Sequence, residues 1–312
     1  MANDSSFKLA LSLMIFGGTT AYTGLKKRKI ARSVQDTARS DIRSAPQGLV
    51  EIEGYALPYA EAFTSLMGDP CVYRSLDFQK FVKRDKSSEW VSCYKESFGD
   101  RFIASDGTGL VEVISTDAEL LLTERTTEWN ELRNERRAEI FGTYGLRVSG
   151  LKEDPGSGIF SGPRYRFVEK VIQVGAPIYL RGNFRTFPNR ALYRLPPQAY
   201  RFLGHIAELK KNPSLLKRFD SDGNQRIDEF ERCEGVKKIY SDARLEIAAD
   251  DTNEEVMIQG TLQNDPTHGL IIADCGEADL VKRLGNWNTL IVFAGIALMS
   301  LGLSMLAGSG FR

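Results

Sequence analysis

The sequence predicts an α+β protein in which two transmembrane helices flank a mainly β domain, a small barrel or sandwich, that carries an inserted helix-loop-helix segment. Three observations predict this arrangement: an apolar run near each end, short stretches of alternating apolar and polar residues between them, and an acidic loop at residues 220–231. Short alternating strands separated by turn residues are typical of small barrels and sandwiches. The expected parts are a transmembrane helix at 7–25, a basic linker at 26–48, the first part of the β domain at 49–190, a helical insertion at 191–250, the end of the domain at 251–284 and a second transmembrane helix at 287–306.

The two apolar runs cover residues 9–25 and 290–306. With their flanks each reaches about 20 residues, the length that crosses the hydrocarbon core of a bilayer. The first run could instead be a cleavable signal peptide, and the second a buried core helix. A basic cluster at residues 26–29 follows the first run without a small-residue cleavage site, which favours a retained anchor.

The charges next to the runs predict the orientation of the protein. Basic residues lie on the central side of both runs, at 26–29 and at Lys282 and Arg283, whereas the outer ends carry only Lys8 and Arg312. The positive-inside rule then places the β domain in the cytoplasm. Because large domains are translocated regardless of charge, a periplasmic or intermembrane location stays open as the alternative.

Alternation predicts strands at residues 49–54, 101–104, 110–114, 164–174 and 178–182. The Asp-Gly-Thr-Gly stretch at 106–109 predicts a hairpin turn, with phosphate binding through its backbone amides as the alternative. Residues 128–144 are rich in Glu, Leu, Arg and Ala, which predicts a helix.

Cysteine usage and charge limit the classes of function. Cys71 and Cys93 could lie on neighbouring strands and pair in an oxidising compartment, or Cys71 could be a buried, inert thiol. Four cysteines in 312 residues do not make a disulfide framework. Lys plus Arg equals Asp plus Glu, 41 each, so no net charge favours a nucleic acid partner.

The loop at 220–231 has the pattern of an EF-hand calcium site. Oxygen donors fall at the ligand positions of such a loop, as Asp220, Asp222, Asn224, the Arg226 carbonyl, Asp228 and Glu231. The sixth position is Gln225 instead of glycine, and a side chain with positive φ costs roughly 1 kcal/mol. The sequence therefore predicts one weak calcium site, with an acidic turn that binds nothing as the alternative.

Several short motifs occur in a recognisable order between the two apolar runs. They are Val-Glu-Ile-Glu-Gly at 50–54, Asp-Pro-Cys-Val-Tyr at 69–73, Trp90, Phe102 with Asp-Gly-Thr-Gly at 106–109, residues 165–169, and Val-Gly-Ala-Pro-Ile-Tyr-Leu-Arg-Gly at 174–182. Over residues 5–306 this order resembles the GIDE family, also called the beside-a-membrane (BAM) domain. The family includes the mitochondrial ubiquitin ligase MULAN, or MAPL, and RING-less prokaryotic relatives.

The resemblance implies a domain held beside a membrane and, in the mitochondrial ligases, a RING after the second span and an intermembrane location. A RING holds two zinc ions, each with about four Cys or His ligands. The sequence has four Cys and two His in total, and six residues follow the second run, so we expect no RING and no ubiquitin transfer.

No constellation of catalytic residues is evident, since His205 and His268 stand far apart in the sequence. The sequence thus favours a membrane-anchored, non-catalytic binding or scaffold module with one weak calcium site. The alternatives are a ligase-family protein without its RING, or a structural anchor with a vestigial loop. The expected partners are the lipid bilayer and an unidentified protein. That protein could be a second copy of the chain. No nucleic acid partner is expected.

Overall fold

The structure is a computed structural model. It describes residues 2–35, 38–60, 62–84, 87–132, 164–187, 192–194, 201–205, 212–220, 222–224, 255–267 and 269–309, and single residues between them (137, 138, 140, 142, 199, 208, 231, 235, 238, 239 and 242). The chain divides into two compact units. One consists of Met1–Arg39 with Cys275–Arg312, and the other of Ser40–Asp274.

The first unit is a pair of long antiparallel helices, α1 (Ala2–Gln35) and α2 (Glu277–Ser309). Small residues allow the two backbones to approach closely. A Cβ added at Gly17 would lie 2.7 Å from the carbonyl oxygen of Gly295, and one at Gly302 would lie 2.8 Å from that of Ala10. Large apolar side chains on both helices are more than half exposed, namely Leu9, Ile15, Phe16, Tyr22, Leu290, Phe293, Ile296, Leu301 and Leu303.

Only α2 is long and apolar enough to cross a membrane, among the helices that the structure describes. Its segment Leu290–Ala307 has a mean hydropathy of 2.3, and 17% of it is buried. The prediction of two spans is therefore met for one helix only. Helix α1 is as long, but Lys8 and several hydroxyl side chains reduce its hydropathy.

The second unit is rich in β structure, as the sequence predicts. The described part of the chain contains β1 (Gly48–Pro58), β2 (Phe63–Thr64), β3 (Pro70–Arg84), β4 (Ser87–Phe98), β5 (Arg101–Ser105), β6 (Leu110–Ile114), β7 (Glu119–Leu121), β8 (Glu124–Glu128), β9 (Tyr165–Gln173), β10 (Pro177–Thr186), β11 (Leu192–Arg194), β12 (Glu255–Met257), β13 (Gly260–Gln263) and β14 (Ile271–Ala273). Three 3-10 helices cover Ile42–Ser44, Trp129–Glu131 and Pro213–Phe219.

Five of these strands close into a small barrel, in the order β1-β5-β6-β13-β10, with β10 pairing back onto β1. Only the β6–β13 pair in this ring is parallel. Three consecutive antiparallel strands followed by two strands that close the ring form a five-stranded Greek-key barrel, the type to which the OB-fold belongs. Buried side chains from all five strands, such as Ile52, Phe102, Val111, Leu180 and Leu262, belong to one apolar core.

A second sheet joins β2, β3, β9 and β8, and β4 pairs with β3. Its core contains Phe78, Phe167 and Trp129. The predicted helix start at Glu128 is wrong, because Glu128 ends β8 and lies opposite Arg166 of β9. Pairing with a neighbouring strand overrides the local helix propensity of this segment.

Strands β11 and β12 pair antiparallel, with Leu192 opposite Met257. The chain therefore ends β11 and begins β12 at adjacent points of the β unit. The stretch between them, residues 195–254, corresponds to the predicted helical insertion at 191–250. Ala199 and Phe202 in the stretch are fully buried in the barrel core, and the Phe202 ring contacts Tyr55 edge-on at 6.4 Å.

Cys71 and Cys93 lie on the neighbouring strands β3 and β4, and both are free thiols. Cys93 lies beside the β-bulge at Phe78 and Gln79, seven positions along β3 from Cys71. At about 3.3 Å per residue this offset is roughly 23 Å, far beyond the reach of a disulfide. Burial raises the pKa of the Cys71 thiol to about 12, with the nearby Glu169 carboxylate adding to the effect, so Cys71 is an inert core thiol at neutral pH.

Candidate metal site

The acidic loop follows the 3-10 helix Pro213–Phe219. Pro213 occupies the first turn of that helix, where its missing N–H leaves no donor unsatisfied. Asp220 comes directly after the helix, and Gly223 adopts a φ of 71°. Glycine takes this left-handed conformation without steric cost, which lets the chain turn between Asp222 and Asn224.

Three carboxylates of the loop converge. One ligand oxygen from each of Asp220, Asp222 and Glu231 lies within 4.8 Å of the others, and Glu231 is only 5% exposed. The backbone N–H of Asp222 donates to Glu231 Oε1 at 3.3 Å. Asn224 donates to Asp222 from its backbone N–H at 3.0 Å and from its side-chain amide at 2.5 Å. The loop therefore concentrates negative charge and holds it with backbone donors.

The structure thus brings together three of the predicted ligands, Asp220, Asp222 and Glu231. Asn224 lies beside them with its amide on Asp222. Arg226 and Asp228 lie outside the described residues, as does Gln225 at the sixth loop position. The donors are all carboxylate oxygens. This set of ligands suits hard divalent cations such as calcium, magnesium and manganese better than zinc or copper. Three carboxylates supply between three and six of the six to eight oxygens that calcium takes, so the residues fit such an ion.

The segments on either side of the loop pack on each other. A Cβ at Gly235 would lie 2.6 Å from the Phe219 ring, so glycine allows the ring to contact the backbone there. Ile239, one helical turn further along, packs against the barrel core. A residue of the acidic loop, Glu231, and a residue that contacts the barrel core, Ile239, therefore lie only eight positions apart in the chain.

The candidate phosphate site at residues 106–109 is a structural turn. Asp106 accepts hydrogen bonds from the backbone N–H groups of Ile42, Thr108 and Gly109, at 2.8, 2.7 and 3.0 Å. These amides are occupied within the protein and are not presented to a phosphate. The Asp-Gly-Thr-Gly stretch is a hairpin turn between β5 and β6, as the sequence predicts.

The structure describes one of the two histidines of the chain. His205 lies 3.9 Å from Glu208 of the same helical segment and is partly exposed. His268 lies outside the described residues.

A buried carboxylate in the second sheet is evident only from the structure. Glu169 is 2% exposed, accepts a hydrogen bond from the Leu66 N–H at 2.7 Å and lies 3.9 Å from the Arg74 guanidinium. Burial raises the pKa of Glu169 above its usual range, although the Leu66 hydrogen bond and Arg74 oppose the rise. Alternation along β9 places residue 169 on the inward face, but only the packing of Leu66 and Arg74 shows that a carboxylate belongs there. The Glu169 carboxylate thus links β9 to the Leu66 backbone and to Arg74 of β3.

Over the residues that the structure describes, the fold and the carboxylate cluster together define a β-barrel protein with one candidate membrane helix and one candidate site for a hard divalent cation. Comparison of the chain with protein-family models, with curated proteins and with solved structures finds no match.

Proposed function

We propose that the protein is a membrane-anchored, non-catalytic binding module whose inserted loop binds one calcium ion. The observation that carries the proposal is the convergence of Asp220, Asp222 and Glu231 within 4.8 Å in a segment inserted between paired strands of the β unit. Calcium suits the loop better than magnesium, because it accepts more oxygens in a less regular geometry. We expect a dissociation constant of roughly 10⁻⁴ to 10⁻³ M, since Gln225 disfavours the loop turn.

The anchor in this proposal is a helical hairpin in which α1 spans the membrane together with α2. Close contact at small residues, such as Gly17 with Gly295, is the way helices associate in lipid. The outward side chains are large and apolar. Thr19 and Thr20 donate their hydroxyl protons to the Phe16 carbonyl oxygen, which satisfies these hydroxyl donors within the helix.

The order of motifs that resembles the GIDE family supports the same function. By analogy, the β unit is a protein-recognition module held beside the bilayer. Its proposed partner is another protein molecule, either a different protein or a second copy of this chain. The basic residues near both helices favour a cytoplasmic location for the β unit over a periplasmic or intermembrane one.

Cys93 provides a test of the location, because its thiol is exposed on β4. A membrane-impermeant maleimide applied to intact cells should label Cys93 only after permeabilisation, with a Cys93→Ser variant giving the background. Labelling of Cys93 before permeabilisation would place the β unit outside the cytoplasm and favour the location implied by the family.

Isothermal titration of the full chain in lipid nanodiscs tests the calcium proposal. We expect one saturable calcium site in the wild type, magnesium binding at least tenfold weaker, and no calcium binding by an Asp222→Asn, Glu231→Gln double variant. If the wild type gave no saturable heat at millimolar calcium, the loop would be a structural turn. The chain would then be an anchor with a vestigial site. Stoichiometric zinc or ubiquitin transfer in the purified protein would instead establish the ligase alternative.

A further inference from the structure

The β unit has an open cleft. Its volume is about 510 Å³, which is within the range of pockets that hold small organic ligands. The lining residues come from the 3-10 helix that precedes β1, the β5–β6 turn, the end of β10 and the β12–β13 connection. They are Ile42, Arg43, Ala45, Thr108, Phe184, Thr186, Phe187, Met257 and Gln259.

Hydrogen bonds hold the walls of the cleft in place. Gln259 exchanges two of them with Leu110, since its N–H donates to the Leu110 carbonyl oxygen at 2.9 Å and its Oε1 accepts from the Leu110 N–H at 2.6 Å. The Gln259 carbonyl oxygen also accepts from the Phe187 N–H at 3.3 Å. The Asp106 carboxylate fixes the N–H of Ile42 at 2.8 Å. The cleft is therefore preformed by its backbone.

Three polar side chains of the cleft, those of Gln259, Thr186 and Arg43, have hydrogen-bond donors to spare. Gln259 Oε1 is engaged by Leu110, which leaves its NH₂ group as a donor. Thr186 Oγ1 accepts a hydrogen bond from the Gln47 side chain, which leaves its O–H as a donor. The Arg43 guanidinium pairs with no carboxylate in the described part of the chain. Apart from Thr108, whose hydroxyl donates to the Asp106 carboxylate, the remaining lining, chiefly Phe184 and Phe187, is apolar.

We infer that this cleft binds a small organic carboxylate with an apolar aryl or alkyl body. The donors match a carboxylate head, which arginine binds with two parallel N–H bonds. Phe184, Phe187, Ile42 and Met257 match an apolar body. A single arginine matches one negative charge, so a monoanionic carboxylate fits better than a phosphate dianion. This binding is independent of calcium.

Isothermal titration of the full chain in lipid nanodiscs with phenylbutyrate tests the inference, with neutral phenylbutyramide as the matched probe. We expect saturable binding of the acid, and Arg43→Gln to weaken it by about tenfold or more, because a hydrogen bond to a charged group contributes roughly that much. Amide binding should be weaker and unaffected by Arg43→Gln. Arg185→Gln is the control, because Arg185 follows Phe184 on β10, points to the opposite face and is absent from the cleft lining.

A second variant tests the position of the apolar body. Ala45→Phe fills the cleft from a half-buried position and should abolish binding of both probes, while unchanged circular dichroism shows that the fold is intact. Equal loss in Arg43→Gln and Arg185→Gln would show a non-specific charge effect and overturn the inference. Absence of saturable acid binding to the wild type, or acid binding that survives Ala45→Phe, would overturn it as well.

Discussion

Replacing Glu231 by glutamine is expected to stabilise the metal-free loop and to remove its response to calcium. The Glu231 carboxylate lies within 4.8 Å of those of Asp220 and Asp222, so three negative charges repel one another. Glutamine keeps the Oε1 acceptor for the Asp222 N–H but carries no charge. The change therefore removes repulsion without breaking the hydrogen bond within the loop.

The size of both effects follows from simple estimates. Two unit charges 4.8 Å apart repel by about 1 kcal/mol at the dielectric constant of water and by about 3.5 kcal/mol at an effective constant of 20. Asp222 is exposed, so its pair with Glu231 belongs near the lower value. Glu231→Gln should then stabilise the calcium-free loop by about 1–3 kcal/mol. Calcium at about 10 mM should stabilise the wild type by about 1.4–2.7 kcal/mol, for a dissociation constant of roughly 10⁻³ to 10⁻⁴ M.

Hydrogen exchange of the full chain, followed in peptides that cover residues 213–242, reports the opening free energy of this segment. Exchange in the wild type should slow when calcium is added. In Glu231→Gln it should be slow from the start and insensitive to calcium. Asp242→Asn is the matched control, because Asp242 is exposed and lies outside the carboxylate cluster. A calcium response in Glu231→Gln equal to that of the wild type would refute the assignment of Glu231 as a ligand.

Two further predictions concern the helix pair and the second sheet. Gly17→Leu should lower the thermal midpoint, because its Cβ would lie 2.7 Å from the Gly295 carbonyl oxygen. Gly18→Leu, whose Cβ would lie 3.9 Å from the Met299 sulfur, should have little effect. Equal effects would contradict the close approach. Burial raises the pKa of Glu169 above its ordinary 4.5, so native Glu169 keeps a proton that the unfolded chain releases, and its contribution to stability falls as the pH rises from 4.5 through the raised value. Glu169→Gln keeps an acceptor for Leu66 and should remove this fall, so that the free energy of unfolding changes less with pH above 4.5. If Glu169→Gln left the pH dependence of the unfolding free energy unchanged, the raised pKa of the buried Glu169 would be contradicted.

Sequence patterns alone determined the features that arise between near neighbours in the chain. The Asp-Gly-Thr-Gly turn and the alternation beside it predict the β5–β6 hairpin, because turn geometry and side-chain alternation are local properties. The spacing of Asp220, Asp222 and Glu231 predicts the carboxylate cluster, since one loop carries all three. The apolar segment Leu290–Ala307 predicts the candidate membrane helix from composition and length.

Only the tertiary structure decided how distant segments meet. The parallel pairing of Val111 with Gly260 joins strands separated by nearly 150 residues, and no local pattern specifies that register. Glu128 belongs to a strand because β9 offers a partner for its backbone, although its own segment favours a helix. The contact of Gly17 with Gly295 and the cleft beside Arg43 likewise arise from packing. Side-chain chemistry sets local geometry, whereas long-range pairing depends on which buried surfaces offset the entropy of closing a long loop.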